Sequence, residues 1–427
     1  MHQPAAEQLT PVGSGNCERC PVRRVLLVLQ SVAVGGMESH CLELAAELAR
    51  RWIAVTVVVP CAGMFDVLAS RLRSTGAEVE RIDADARNGR IEEARSLFQF
   101  ARLVRRVRPD VIHLHTGGAT GGVAVVALAR LLSTATVVVT EHDVPDTHPF
   151  LYQRLGRLVL DRLMHTLVSV SRRNAALRRE RLGVGARAVV TVLNGVAIQN
   201  IPTGVWEEER GHIRGQFGIR SDTVVIGSLV RLAPGKGLPD LLRAFALVRP
   251  GTDCELLLVG DGPLRSELEA LAEQLGIADV VHFAGYQVES LPFLTAFDVF
   301  VLAVPFGSMS IALLEAMVAG LPPVITFCGP EEAVIPEVTG LSAPPSDPVG
   351  LADSLSRLVR SPELRAELGA SAAIHVRRHY SVERVVIDLL DVYRGGKTGS
   401  IPERLRATNP PNPYADGSDL LNRSVTY

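Results

Sequence analysis

The feature that most constrains the fold is an alternation that runs through the chain twice. An apolar run, Val25 to Leu29, leads into Gly35-Gly36, and Cys41, Leu42, Ala45, Leu48 and Ala49 then recur at helical spacing. A second apolar run, Val55 to Val59, completes a strand–turn–helix–strand unit, the signature of a parallel sheet. Ile91, Ala94, Phe98, Ala101 and Val104 mark a helix that ends near Pro109, and strands are expected at 111–114, 137–140, 167–170 and 189–192. These runs are almost wholly apolar and β-branched, as in strands covered by helices on both faces. From Ile201 to Gly218 the pattern lapses into Pro, Gly and charges, which predicts an inter-domain linker. The alternation then restarts, with strands expected at 224–229, 255–259, 280–283, 299–302 and 324–326. Helices are expected at about 237–248, 263–275 and 311–319, the last with Ser310 as N-cap and Gly320 as C-cap.

The chain therefore reads as α/β, with two Rossmann-like parallel-sheet domains in series. Residues 1–20 are a polar N-terminal tail, 21–202 the first domain and 203–381 the second. A last amphipathic helix begins at Val382 (382–396), and 397–427 form a Pro-, Asn-, Ser- and Gly-rich tail read as disordered. Ligands of such sheets sit outside the carboxyl ends of the strands, and two facing sheets would enclose a cleft.

Composition narrows the function. With 427 residues, 47% hydrophobic and 21% charged, this is a soluble multidomain chain rather than a coiled coil or a disordered polymer. The net charge of −2 gives no electrostatic case for nucleic acid. No run is long and apolar enough to span a membrane, and no signal peptide is read at the N-terminus. Six scattered cysteines fit a reducing cytoplasm. The halves differ: residues 21–202 carry 24 basic and 16 acidic side chains (net +8), and residues 203–427 carry 19 and 28 (net −9).

Several residues can carry chemistry. Gly35-Gly36-Met37-Glu38 lies between a strand and a helix N-terminus, where backbone N–H groups and the helix dipole favour an anion; a tight turn with no ligand is the equal alternative. Arg231-Leu-Ala-Pro-Gly-Lys236-Gly237 brings two cations to a second such junction. The competing reading is a solvated basic turn. Lysine, however, occurs only at 236 and 397 in a chain that otherwise uses arginine, which favours a required ammonium. Glu315 sits on an apolar helix at a strand's carboxyl end, able to bind hydroxyls or simply to face water. His113, His115, His142 and His148 lie near strand ends, where one or two can touch a ligand, against the commoner role of a hydrogen-bonded structural histidine. Their spacing, like the single Cys17-x-x-Cys20 pair, makes no metal site, and Gly396-Lys397-Thr398 lacks the first glycine of a P-loop. The segment 151–187 carries nine arginines and offers peripheral contact with an acidic membrane or an anionic acceptor, against a solvated helix face.

At these residues the chain resembles family 4 glycosyltransferases of the GT-B fold. The carrying motifs are LVRLAPGKGLPDLLRAFA (229–246), LLLVGDGPLRSELEALAEQLGIADVVHFAGY (256–286), ALLEAMVAGLPPVI (312–325) and VTGLSAPPSDPVGLADSL (338–355). GGME, VIHLHT, VVVTEH and VLNGV fit more loosely in the first half. The resemblance implies two facing domains, a nucleotide-sugar donor bound by the second and an acceptor by the first. It also implies retention of configuration, with neither metal nor cofactor. By resemblance Arg231 and Lys236 hold the diphosphate, Glu315 the ribose, Gly35 and Gly36 close over the phosphates, and His142 contacts the donor sugar. One departure stands out. The family's first motif glutamate, eight positions before Glu315, is here Gly307, with Ser308 and Ser310 nearby as substitute hydroxyl ligands. Two other readings follow: a non-catalytic nucleotide-sugar-binding or partner protein, and a dinucleotide oxidoreductase, which lacks its G-x-G-x-x-G.

Overall fold

The computed structural model describes residues 22–395, apart from 32–33, 84–89, 118–121, 143–150, 183–188, 199–202, 290, 306–308 and 327–332. Cys17, Cys20, His148, Gly307, Ser308 and the tail from 396 onward lie outside the described residues.

Two parallel sheets organise the chain. The first joins β1 (Arg24–Gln30), β2 (Ala54–Val59), β3 (Glu78–Arg81), β4 (Val111–Thr116), β5 (Thr136–Glu141), β6 (Thr166–Ser169) and β7 (Val189–Thr191), in the order β3-β2-β1-β4-β5-β6-β7. Between them run α1 (Gly36–Arg50), α2 (Asp66–Ser74), α3 (Arg90–Val107), α4 (Val123–Leu132), α5 (Leu151–Leu163) and α6 (Arg172–Leu182). After α7 (Thr203–Gln216), the second sheet joins β8 (Val224–Leu229), β9 (Cys254–Val259), β10 (Val281–Gly285), β11 (Val299–Leu302), β12 (Pro323–Thr326) and β13 (Leu341–Ala343), ordered β10-β9-β8-β11-β12-β13. Its helices are α8 (Leu238–Val248), α9 (Arg265–Gln274), α10 (Leu291–Ala296), α11 (Ile311–Val318), α12 (Pro348–Arg360) and α13 (Pro362–His379), followed by α14 (Val382–Gly395).

The apolar strands are covered on both faces. In β1, Val25, Leu27 and Leu29 enter one core, while Leu26 and Val28 enter the other. This is the period-2 alternation of side chains expressed in a strand that has no polar face. In each sheet the strand order reverses beside the first strand, between β1 and β4 and between β8 and β11. Those two switch points are where a doubly wound sheet opens a crevice.

Two short strands escape the hydrophobic pattern. β3 reads Glu-Val-Glu-Arg and β13 Leu-Ser-Ala, too polar or too short for a periodic signal, and each lies at a sheet edge. The expected linker at 201–218 is also corrected, because residues 203–216 are helix α7. Charged residues that read as solvated loop instead fix this helix in place. Arg214, only 3% exposed, donates to the carbonyls of Ala296 and Thr223 and to Asp298 Oδ2 at 2.7 Å. Arg210 reaches Asp298 Oδ1 at 2.6 Å.

The chain passes between the domains twice, and the two passages lie side by side. The N–H of Val196 donates to the carbonyl of Tyr380, and the N–H of Val382 donates back to the carbonyl of Val196. A Cβ on Gly195 would lie 2.6 Å from Val385 Cγ2 and 2.9 Å from the Ser381 carbonyl oxygen, so the approach requires glycine. α14 then packs into the core of the first domain through Val385, Val386, Leu389, Val392 and Tyr393. The Tyr393 hydroxyl lies 2.7 Å from His113 Nδ1, and His113 Nε2 lies 2.6 Å from Thr140 Oγ1, all buried. Replacing Tyr393 by Phe leaves a buried imidazole nitrogen without its partner. The expected loss is about 1–3 kcal/mol of folding free energy, read from urea unfolding.

Candidate functional site between the two sheets

Three segments lie at the two switch points. The first follows β1. Glu38, 2% exposed, accepts the N–H of Gly35 through Oε2 at 2.7 Å and caps α1 from its third position. Neither Gly35 nor Gly36 has positive φ. A Cβ at 35 would meet nothing closer than 3.7 Å, and at 36 only Ile311 at 3.7 Å. The fold therefore does not itself demand glycine at either position. The contact with Ile311 places this turn of the first domain against the start of α11 in the second.

The second turn follows β8, and its glycines are of a different kind. Gly235 and Gly237 have φ of 77° and 67°, and a Cβ at 237 would lie 1.8 Å from the Ala303 carbonyl oxygen. Gly260 and Gly262, after β9, lie against the carbonyls of Val230 and Leu232, where a Cβ would come within 2.1 and 2.4 Å. Hydrogen bonds from the Leu232 N–H to the Asp261 carbonyl and from the Leu264 N–H to the Leu232 carbonyl join the two loops. The V-G-D-G-P motif thus moulds the basic turn from behind. Lys236 stands between two left-handed glycines immediately before α8, with Gly237 as its N-cap. Arg231 is exposed, and its guanidinium has no ion-pair partner among the described residues.

The third element is α11. The Oγ of Ser310 accepts the N–H of Leu313, making Ser310 the N-cap of the helix. Its oxygen therefore serves as the cap expected from the sequence, which competes with its reading as a hydroxyl ligand. Glu315 is half-buried rather than solvent-facing. It lies near enough to Glu43 of α1 to raise that carboxyl, which burial and then the Glu315 charge push up to about 8. Glu43 Oε2 accepts the N–H of Ala197 at 2.8 Å. Asn194 adds a second tether, donating from Nδ2 to the Met309 carbonyl at 2.8 Å. Sequence reasoning missed Glu43 and the tether role of Asn194, because both depend on contacts across the domain boundary.

His142 follows β5 and is buried, 8% exposed. Its Nε2 is 3.1 Å from Nδ1 of His115. Burial holds both imidazoles well below their ordinary pKa, with neighbouring histidine charge adding to the effect, so both are neutral at neutral pH. Of the arginine-rich segment 151–187, Arg178 is turned inward to Glu141 at 2.6 Å, both nearly fully buried. That arginine is unavailable to a membrane or an acceptor.

A frame of two doubly wound parallel sheets joined by a double passage of the chain has the architecture of a GT-B protein. Solved structures agree on the fold. A glycosyltransferase from Rickettsia africae superposes with a TM-score of 0.74 at 16% identity, covering 89% of this chain and all of that one. The Anabaena protein HepE in complex with UDP-glucose superposes with a TM-score of 0.73 at 19% identity, over 87% and 99%. Two family models match, the glycosyl transferase 4-like domain over residues 35–195 and glycosyl transferases group 1 over residues 209–375. The chain belongs to this glycosyltransferase family. It is 38% identical over 222 residues to D-inositol 3-phosphate glycosyltransferase of Saccharomonospora viridis, 48% of this chain and 50% of that one. It is 27% identical over 381 residues to 2-deoxystreptamine N-acetyl-D-glucosaminyltransferase of Streptomyces fradiae, 83% and 89% of the two chains. Several of the curated relatives, including the first of these two, are matched over only about half their length.

The raised Glu43 carboxyl has a measurable consequence. Its folded pKa lies above its unfolded value, so between about 4.5 and 8 the folded state holds a proton that the unfolded state has released. Stability attributable to this group is full below pH 4.5 and declines as pH rises to 8. Glu43→Gln is expected to melt like the parent near pH 4.5 and progressively higher than the parent toward pH 8, read by thermal denaturation across that range.

Proposed function

We propose that the protein transfers a sugar from a nucleoside diphosphate to a hydroxyl of a glycan, lipid-linked or natural-product acceptor, retaining the anomeric configuration. The observations that carry this reading are a turn after β8, shaped by close-packed glycines, that holds both Arg231 and Lys236, and a Gly35-Gly36 pair at the start of α1 where the fold itself has no need of glycine. In that reading the Gly35-Gly36 backbone and the cations bind the diphosphate from both sides, and Glu315 accepts the ribose hydroxyls. His142 faces the donor sugar. The bond from the anomeric carbon to the diphosphate oxygen breaks as the acceptor oxygen bonds on the same face, and the acceptor proton passes to the departing phosphate. Arg231, Lys236 and the helix dipole of α8 offset the charge that develops on the leaving group. This donor chemistry asks for no metal.

Two matches support the substrate class. The HepE structures hold UDP and UDP-glucose, and the Streptomyces fradiae relative, aligned over most of both chains, is named for 2-deoxystreptamine and an N-acetyl-D-glucosaminyl group. We further propose a cytoplasmic location, consistent with free thiols at Cys41, Cys61 and Cys254, with peripheral membrane contact through the remaining arginines of 151–187. No helix among the described residues is long and apolar enough to cross a membrane. A second reading rests on Gly307, which stands where the family's first motif glutamate is expected: a protein that binds the donor without turning it over.

Lys236→Ala is expected to lower the rate of nucleoside diphosphate release by roughly 100-fold or more. It is also expected to remove the rise in melting temperature that UDP or another cognate diphosphate produces in the parent. A parent protein that is stabilised by a donor yet releases no diphosphate with any acceptor would support the second reading.

A further inference from the structure

Three histidines from three separate elements converge behind the glycine turn. His40 is four residues past Gly36 in α1, His115 lies near the carboxyl end of β4, and His142 follows β5. Their exposures are 4%, 0% and 8%. The ring centroids form a nearly equilateral triangle, with sides of 5.7 Å (His40–His115), 5.3 Å (His40–His142) and 5.4 Å (His115–His142). One ring nitrogen from each lies within 4.8 Å of the other two, and the pair formed by His115 Nδ1 and His142 Nε2 is at 3.1 Å.

These are the dimensions of three imidazoles around one ion. A metal ~2.05 Å from each nitrogen sits about 3.2 Å from each ring centre, so tetrahedral angles separate the centres by about 5.2 Å and the nitrogens by about 3.3 Å. The centroid triangle matches that arrangement, slightly opened. The His115–His142 nitrogens already have the spacing, while the nitrogens as a set, within 4.8 Å of one another, would draw in around the ion. A hydrogen bond between His115 and His142 would account for the 3.1 Å pair but not for the third ring, His40, brought to the same point from a separate element. His113 stacks on His115 with centroids 4.1 Å apart, yet both its nitrogens are engaged, by Tyr393 and Thr140. It supports the cluster without joining it.

We propose that His40, His115 and His142 bind a divalent transition metal ion of the zinc class, which imidazole ligands suit. The ion ties the first turns of α1, and with them Gly35 and Gly36, to the ends of β4 and β5. Three protein ligands leave a fourth position for water. The role is positional, and it makes no use of the donor chemistry proposed above. An ion held by Nε2 of His142 excludes a direct sugar contact through that atom, so the two assignments of His142 are separable.

The test is titration of the chelator-stripped full chain with Co2+, followed by displacement with Zn2+. The expected result is one equivalent of Co2+ with the visible absorption of a tetrahedral nitrogen site, bleached by Zn2+. His40→Gln should weaken binding by more than the roughly 10–100-fold of an outer-shell change, with far-UV circular dichroism showing that it folds. His40→Cys keeps a ligand at the same place, and should retain Co2+ while adding a near-ultraviolet thiolate-to-cobalt band. Cys17→Ser with Cys20→Ser should leave binding intact. The proposal is overturned by no saturable Co2+ binding to the parent, by unchanged affinity in a folded His40→Gln, or by binding that disappears only with the two cysteines.

Discussion

The rest of the structure depends on the paired passage of the chain between its domains. Val196 gives and receives backbone hydrogen bonds to Tyr380 and Val382, and Gly195 lets the two strands approach closely enough to do so. Each sheet alone has a switch point with no facing wall. The double passage, anchored by α14 in the first core and by Asn194 on the Met309 carbonyl, turns two separate crevices into one cleft. A single backbone contact of this kind contributes only on the order of 1 kcal/mol. Its importance is geometric, because it fixes which loops meet.

Charge in that cleft is arranged asymmetrically. The turn after β8 carries Arg231 and Lys236 ahead of α8, and the start of α1 presents backbone N–H groups. Glu315 and Glu43 place two carboxyls near each other, and burial first and then the Glu315 charge keep the Glu43 proton on near neutrality. A ligand with a dianionic end and a hydroxyl-bearing end would find complementary partners at both. The histidines behind the glycine turn are buried and neutral, so charge at that place is carried by the ion proposed there.

Much of this was legible in the sequence, and the failures have physical causes. Strands such as 224–229 and 299–302 were readable because burial on both faces makes them continuously apolar. The edge strands β3 and β13 were not, being short or polar. Helix α7 was read as linker because Gly204, Gly211 and Gly215 interrupt a charged stretch, whereas its order comes from Arg210 and Arg214 reaching distant carbonyls and Asp298. The basic turn and Glu315 were found from motif residues, but their setting was not. The roles of Gly260 and Gly262 lie in backbone they press against thirty residues earlier. His40 gave no signal, since one polar residue on a helix says nothing of what the sheet brings to it. Ser310 was assigned twice, as cap and as hydroxyl ligand, and its oxygen is engaged as the cap.

The central claim is that one ligand spans both domains through the turns after β1 and β8 and the helix α11. Amide hydrogen exchange of the full chain, with and without saturating cognate nucleotide, tests it most directly. The account predicts slowed exchange at Gly35–Ser39, at 231–238 and at 311–316 together, on a single binding isotherm. Protection confined to one domain, or absent from all three segments while the nucleotide is bound, would contradict it.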